Sequence, residues 1–183
     1  MRKCKHCKEP FKPRYNTIQP TCSVKCAIEY GKILKQKKAD KEFKERKREF
    51  KLNDKSIQKA SAQRAFNAYI RERDKECNCI SCGSDGSSGV KWNAGHFKTV
   101  GARPDLRFDE RNCNKQCEYC NTYLSGNTAE YRKSLIKKIG VEEVQDLERE
   151  RIKNSKRLNA EDYRNIAIKY RQKLKELKAI NGE

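Results

Sequence analysis

The sequence predicts a helix-rich α+β protein in which small stapled modules are joined by long, solvated helices. Three observations carry that expectation. Eight of the ten cysteines fall into four close pairs: Cys4 with Cys7, Cys22 with Cys26, Cys79 with Cys82 and Cys117 with Cys120. Only 35 % of the 183 residues are hydrophobic, too few to fill one large core. Between the cysteine pairs run stretches free of glycine and proline and rich in strong helix formers.

Pairs of cysteines two or three residues apart suit a tetrahedral zinc ion, because the turn between them offers both thiolates to one centre. Disulfides are the alternative, but the chain opens Met1-Arg2-Lys3-Cys4 without an apolar leader and reads as an intracellular protein with reduced thiols. Two structural zinc ions are therefore expected. Cys77 and Cys113 are left over, as bystanders or as competitors for a ligand position. The chain has 44 Lys and Arg against 25 Asp and Glu, a net charge of +19. With roughly two negative charges at each four-thiolate site the total stays near about +15. The partner implied is a polyanion, and nucleic acid fits better than a membrane, since no apolar run approaches a spanning length.

Residues 1–30 form an N-terminal zinc finger. Cys4 and Cys7 sit on a knuckle turn, Cys22 and Cys26 lie a helical turn apart, and Ser23 caps the helix that Cys26 enters. Phe11, Tyr15 and Ile18 supply its apolar packing, and His6 is a bystander on the turn. The finger either docks DNA or protein or staples the terminus. Residues 31–76 are a basic linker and a packing helix. Lys32 to Lys51 holds ten basic and four acidic residues, a solvated helix that is a phosphate-contacting arm or a spacer. Phe43 and Phe50, seven apart, leave one weak seam for a partner helix. Asn53 and Asp54 end this helix and cap the next, whose Ala62, Phe66, Tyr69 and Ile70 recur at helical spacing.

Residues 77–139 form the central module. Gly83 to Gly89 is a flexible turn, and Val90 to Phe97 reads as a strand ending on His96. A loop with Gly101, Arg103, Pro104 and Arg107 leads into a second strand at Leu106 to Asp109, and the second cysteine pair opens a helix. The polar residues of this module fit phosphodiester hydrolysis, which needs a base for water, a positive centre for developing charge, and rigid placement of both. His96 is the candidate base, with an imidazole pKa of ~6.5. Asn121, directly after Cys120, is the candidate oxygen ligand of a magnesium or manganese ion that His96 also faces. Asn112 and Asn114 would pin the loop through side-chain to backbone bonds. Lys98, Arg103, Arg107, Arg111 and Lys115 are candidate DNA contacts. The bland alternatives for His96 are a core histidine bonded to backbone and a zinc ligand replacing one cysteine.

These residues carry a resemblance. Cys79-Ile-Ser-Cys82-Gly83, Ala94-Gly95-His96-Phe97, Leu106 to Asn112, Gln116-Cys117 with Cys120-Asn121, and Ser125-Gly126-Asn127 followed by Glu130-Tyr131-Arg132 are similar to the NinG (Rap) family of lambdoid phage recombination proteins. The likeness covers nearly the whole chain, most clearly residues 66 to 136. By motif the module also resembles the HNH, or ββα-metal, nucleases and phage endonuclease VII. The resemblance implies a structure-specific, divalent-metal-dependent endonuclease that cuts branched DNA, such as Holliday junctions and D-loops, in phage recombination within the bacterial host. In endonuclease VII-like sites an aspartate precedes the histidine as the other metal ligand, whereas Gly95 stands here. Asp109, Glu110, Asn127, Glu130 and His96 itself are the substitutes on offer.

Asn127 with Glu130 forms a capping signature for a helix ended by Gly140. Residues 140–183 are C-terminal helices. One runs around Glu142 to Lys153 with Val144 and Leu147 inward. Asn159 and Asp162 open another, whose Tyr163, Ile166, Ala167, Tyr170, Leu174 and Leu177 form either internal core or a homodimer face. Two function classes follow: the endonuclease, and a non-catalytic zinc protein that binds nucleic acid or scaffolds other recombination proteins.

Overall fold

The computed structural model describes residues 1–182 apart from Tyr15, Thr17, Ser88 and residues 151–156. It divides into two compact units, Met1–Leu52 and Asn53–Glu183.

In the first unit β1 (Arg2–Lys3) pairs antiparallel with β2 (Pro10–Phe11) around the Cys4–Cys7 knuckle, and α1 (Val24–Asn53) follows. Ser23 Oγ accepts from the Cys26 amide at 3.2 Å, so the predicted cap starts the helix here and not at Lys32. Gly31 lies within α1 on open ground and does not end it. Finger and basic arm thus share one helix. No residue of α1 is buried, and Phe43 and Phe50 are exposed. The packing expected from Phe11 and Ile18 is slight: Phe11 is half-buried and Ile18 exposed, while Tyr15 lies outside the described residues. Apolar contact holds little of this unit together, and its four cysteine sulfurs converge instead.

The second unit begins with α2 (Lys55–Arg73), capped by Asp54, whose Oδ1 accepts from the Ile57 amide at 2.8 Å. Its inward stripe of Ala62, Ala65, Phe66, Tyr69 and Ile70 packs on Tyr163, Ala167 and Tyr170 of α5 (Ala160–Ile180), with Ile166, Leu174 and Leu177 alongside. The C-terminal stripe is therefore covered by α2 within the same chain. Asn159 and Asp162 make the capping box that opens α5.

Against α2 packs a hairpin of β3 (Trp92–His96) and β4 (Cys113–Cys117), antiparallel, with Trp92 opposite Cys117 and His96 opposite Cys113. The second strand expected at Leu106–Asp109 is not there. Pro104–Leu106 is a single 3-10 turn, and Asp109 Oδ1 accepts from the Arg111 amide two residues on, a local turn bond that competes with strand pairing. Alternation along β3 and β4 points Ala94, His96 and Cys113 at the α2–α5 cluster. Gly95, Phe97 and Asn114 face the other way, toward α3 (Thr128–Ile139), where Tyr131 stacks on Phe97 and its hydroxyl donates to the Gly95 carbonyl at 2.9 Å.

The helix expected at the second cysteine pair is a short π-helical turn, Tyr119–Tyr123. Ser125, Gly126 and Asn127 then all adopt positive φ (49°, 89° and 42°) before α3 begins. In that left-handed backbone the Asn127 side chain does not cap α3, and the predicted box with Glu130 is unmade. Gly140 (φ 92°) separates α3 from α4 (Val141–Glu148), and Phe97, Tyr131, Leu135, Val144 and Leu147 form a second buried cluster. The helix expected to reach Lys153 stops at Glu148; residues 151–153 lie outside the described residues.

Candidate functional site

Four thiols converge in each unit. The Sγ atoms of Cys4, Cys7, Cys22 and Cys26 lie within 4.8 Å of one another, as do those of Cys79, Cys82, Cys117 and Cys120. Separations of 3.6 Å (Cys7–Cys22), 3.6 Å (Cys22–Cys26) and 3.8 Å (Cys82–Cys117) suit a zinc tetrahedron. Zinc–sulfur bonds of about 2.3 Å give an edge of about 3.8 Å. Backbone amides supply the outer support that such sulfurs need: Cys22 N to Cys4 Sγ, Cys117 N to Cys79 Sγ and Cys120 N to Cys117 Sγ, each 3.4 Å. Burial pushes the Cys4 thiol up, but the amides of Cys22, Cys7 and His6 outweigh it and bring its pKa to about 6. Cys79, buried but facing the amides of Cys117, Cys82 and Ser81, falls to about 7. Cys4 and Cys79 so disposed ionise near neutral pH, whereas the neighbouring thiols hold Cys22 up at about 12 and burial holds Cys120 there, so one thiol of each set is ready to meet zinc first. Cys77, exposed, and Cys113, buried in the apolar core, belong to neither set.

His96 sits at the end of β3 with Nε2 3.0 Å from the Arg107 carbonyl. Facing an oxygen that only accepts, Nε2 carries the proton of the neutral ring, and the lone pair is on Nδ1. Nδ1 lies 3.7 Å from Cys113 Sγ, and the ring is 6.0 Å from that of Phe66. Burial pushes the imidazole below its ordinary 6.5, against the pull of the Arg107 carbonyl and with the help of the Arg107 charge. The ring is neutral at pH 7.

Asn112 sets the position of that carbonyl. Fully buried, it accepts from the Lys98 amide (2.8 Å) and donates to the carbonyls of Lys98 (3.0 Å) and Leu106 (3.2 Å), so both ends of the Lys98–Arg111 loop are tied to one side chain. Asn114, also buried, donates to the Arg111 carbonyl at 3.4 Å and joins Arg73, Lys138 and the Tyr131 hydroxyl as well.

The oxygen donors expected beside His96 are placed elsewhere. A Cβ on Gly95 would collide with Gln116 Oε1 and come within 3.0 Å of that residue's Cβ and Cδ, so the space an aspartate needs is filled. Gln116 is locked there by bonds from Nε2 to Ser81 Oγ (2.7 Å) and the Gly126 carbonyl (2.6 Å). Asp109 pairs with Arg111, Glu110 with Tyr69, Tyr170 and Lys173, and Glu130 with Lys133. Asn127 Nδ2 turns to Cys120 Sγ at 3.7 Å. Asn121 lies half-buried in the turn beyond Cys117, and four residues of strand, about 13 Å, separate the Cys117 end of the hairpin from the His96 end. Among the described residues the cysteine sets are the two groups of three or more His, Cys, Asp or Glu side chains that converge as metal ligands. The groups around His96 therefore do not fit a magnesium or manganese site with several oxygen ligands.

The five candidate DNA contacts all bond within the chain. Lys98 pairs with Glu148 (3.5 Å), and Arg103 with Asp105 and the carbonyls of Leu147 and Arg149. Arg107 reaches Gln63, Arg111 bridges Asp109, Glu143 and Asp146, and Lys115 donates to the Lys75 carbonyl with its ammonium over Trp92. Sequence reasoning missed the other side of this network. Asp74 is buried; desolvation alone would raise its pKa, but Arg73 and Lys138 hold it below 3.8 while it accepts from the Lys115 amide. The adjacent Arg73-Asp74 pair where α2 ends was the available signal.

Comparison with known proteins gives one consistent answer. A family model described as Bacteriophage Lambda NinG protein matches residues 1–180. The protein ninG of Escherichia phage 933W is 42 % identical over 198 residues, covering 100 % of this chain and 96 % of the relative. Those of Salmonella phage P22 and Escherichia phage lambda are each 40 % identical over 200 residues, with the same coverage. No solved structure matches the chain.

Proposed function

The chain belongs to the NinG family of lambdoid phage proteins, and from that premise we propose that it is an endonuclease for branched DNA, such as four-way junctions and D-loops, with His96 as its general base. One observation carries the reading: the Asn112-tied loop delivers the Arg107 carbonyl to His96 Nε2 and so fixes which ring nitrogen is basic. A base for hydrolytic water must be neutral at working pH and held in one tautomer. His96 meets both conditions, but its Nδ1 is turned to the thiol of the buried Cys113, 3.7 Å away, and not to open solvent.

In this mechanism water takes the place of the Cys113 thiol at Nδ1 and gives that nitrogen a proton as its oxygen attacks phosphorus, while the 3′ oxygen leaves on the opposite side and is protonated by solvent. Asn112 acts through the loop as a positioning residue. A divalent ion would supply charge stabilisation at the leaving oxygen, but the side chains around His96 do not gather the oxygens to hold one, and no step is assigned to it. That same gap favours a second reading, a zinc-stapled protein that binds nucleic acid or scaffolds recombination without cutting. Incubating a labelled four-way junction and a linear duplex with the protein, in magnesium or manganese, separates the two. Junction cleavage that disappears in His96→Ala while binding persists supports the nuclease; binding without cleavage by the wild type supports the scaffold and ends the catalytic assignment.

A further inference from the structure

We propose that one face of α1, bearing Lys37, Lys41, Lys44 and Arg48, is the surface that grips the phosphates of duplex nucleic acid; the proposal rests on the reading above that the substrate is DNA. The four residues are spaced four, three and four apart. At 100° per residue they occupy an arc of about 60° and a length of roughly 16 Å. The acidic residues nearest that arc, Asp40 and Glu45, flank it on either side and do not enter it. Neighbouring cations on such a row are about 5–6 Å apart at Cβ, close enough to repel.

Asp40 and Glu45, three or four residues from these cations, line the same face and offset part of that repulsion, but among the described residues neither closes an ion pair with the row. Elsewhere on α1, Lys32 pairs with Glu29 and Lys38 with Glu42. Among the described residues Lys37, Lys41, Lys44 and Arg48 have neither an ion pair nor a hydrogen bond. The second unit provides the contrast: there all five cations of the hairpin and its loop already hold internal partners. A row of cations without ion pairs along one helix face complements a row of phosphates, and releasing the counterions of both favours their union. A lipid surface fits less well, because the opposite face mixes Ile28, Ala39, Phe43 and Phe50 with Lys32, Lys35 and Arg46 and so lacks the continuous apolar stripe that bilayer insertion uses.

Salt dependence tests this directly on the full, zinc-loaded chain, by anisotropy of a fluorescent duplex between about 50 and 200 mM NaCl. Replacing the row by glutamine (Lys37→Gln, Lys41→Gln, Lys44→Gln, Arg48→Gln) should flatten the slope of log K against log salt by about 3.6, or 0.9 for each phosphate no longer neutralised. A control variant removes equal charge from other faces (Lys32→Gln, Lys35→Gln, Arg46→Gln, Lys47→Gln) and should flatten it much less. Circular dichroism checks that both variants keep the exposed helix. Equal flattening in the two variants, or none in the first, overturns the proposal while leaving junction cleavage by the wild type intact. Wild type that binds phosphatidylserine vesicles but no duplex overturns both the proposal and the nucleic-acid reading beneath it.

Discussion

Gly95 shows how one residue can be explained by its neighbour across a hairpin. Its missing side chain is replaced in space by the Gln116 amide, whose nitrogen is held by Ser81 and the Gly126 carbonyl. Gly95→Asp should therefore cost about 1–3 kcal/mol by overpacking, and pairing it with Gln116→Gly should recover most of that loss, as read from urea midpoints of the two variants. An additive double mutant would show that Gln116 is not what excludes the aspartate. His96 gives a second prediction at this scale. Its folded pKa lies below the 6.5 of the unfolded chain, so the unfolded state binds the proton first. Its contribution is full above pH 6.5 and is lost as pH falls from 6.5 through the folded value. His96→Gln should flatten that segment of the stability profile relative to wild type, and an unchanged pH dependence would mean the ring is solvated in the folded state.

At the scale of elements, what was legible in the sequence was whatever announces itself locally. Ser23, Asp54 and Asn159 each cap a helix through their own side chains, and the apolar stripes of α2 and α5 repeat at helical spacing. Strand β4 escaped because it reads Cys-Asn-Lys-Gln-Cys, with none of the alternation of a half-buried strand, and yet every residue is buried. Apart from Gln116 Oε1, its polar groups are satisfied by distant partners: Asn114 by Arg73 and Lys138, Lys115 by Asp74 and Lys75, and the Gln116 amide nitrogen by Ser81. No local rule foretells such pairings, and for the same reason the internal partners of the loop arginines read as DNA contacts were not foreseen. The hairpin end that carries Cys117 also carries the sole tryptophan, Trp92, packed on the Cys79–Cys117–Cys120 cluster. Cys120→Ser should therefore shift Trp92 emission to the red by loosening that end, whereas Cys22→Ser, in the other cysteine set, should leave the emission unchanged. A shift in both variants would mean that the two metal sites are not independent.

For the whole molecule, the division into Met1–Leu52 and Asn53–Glu183 separates charge from core. The first unit holds 17 Lys and Arg against 6 Asp and Glu, or +11 of the chain's +19, leaving +8 on a second unit more than twice as long. All three apolar clusters draw on residues from Ala62 onward, and none takes a side chain from the first 52 residues. A fragment of residues 53–183 should accordingly fold by itself, with a cooperative urea transition and the Trp92 emission of the full chain. The long basic helix goes with the first unit, so the fragment should bind duplex DNA with a much shallower salt slope. His96, Asn112 and the loop between them stay in the fragment, so any junction cleavage by the full chain should persist in it at low salt, weakened through binding and not through turnover. If the fragment instead kept the full salt slope, its loop cations would have to leave their carboxylate and carbonyl partners to reach phosphate, and the assignment of binding to α1 would give way to the hairpin itself.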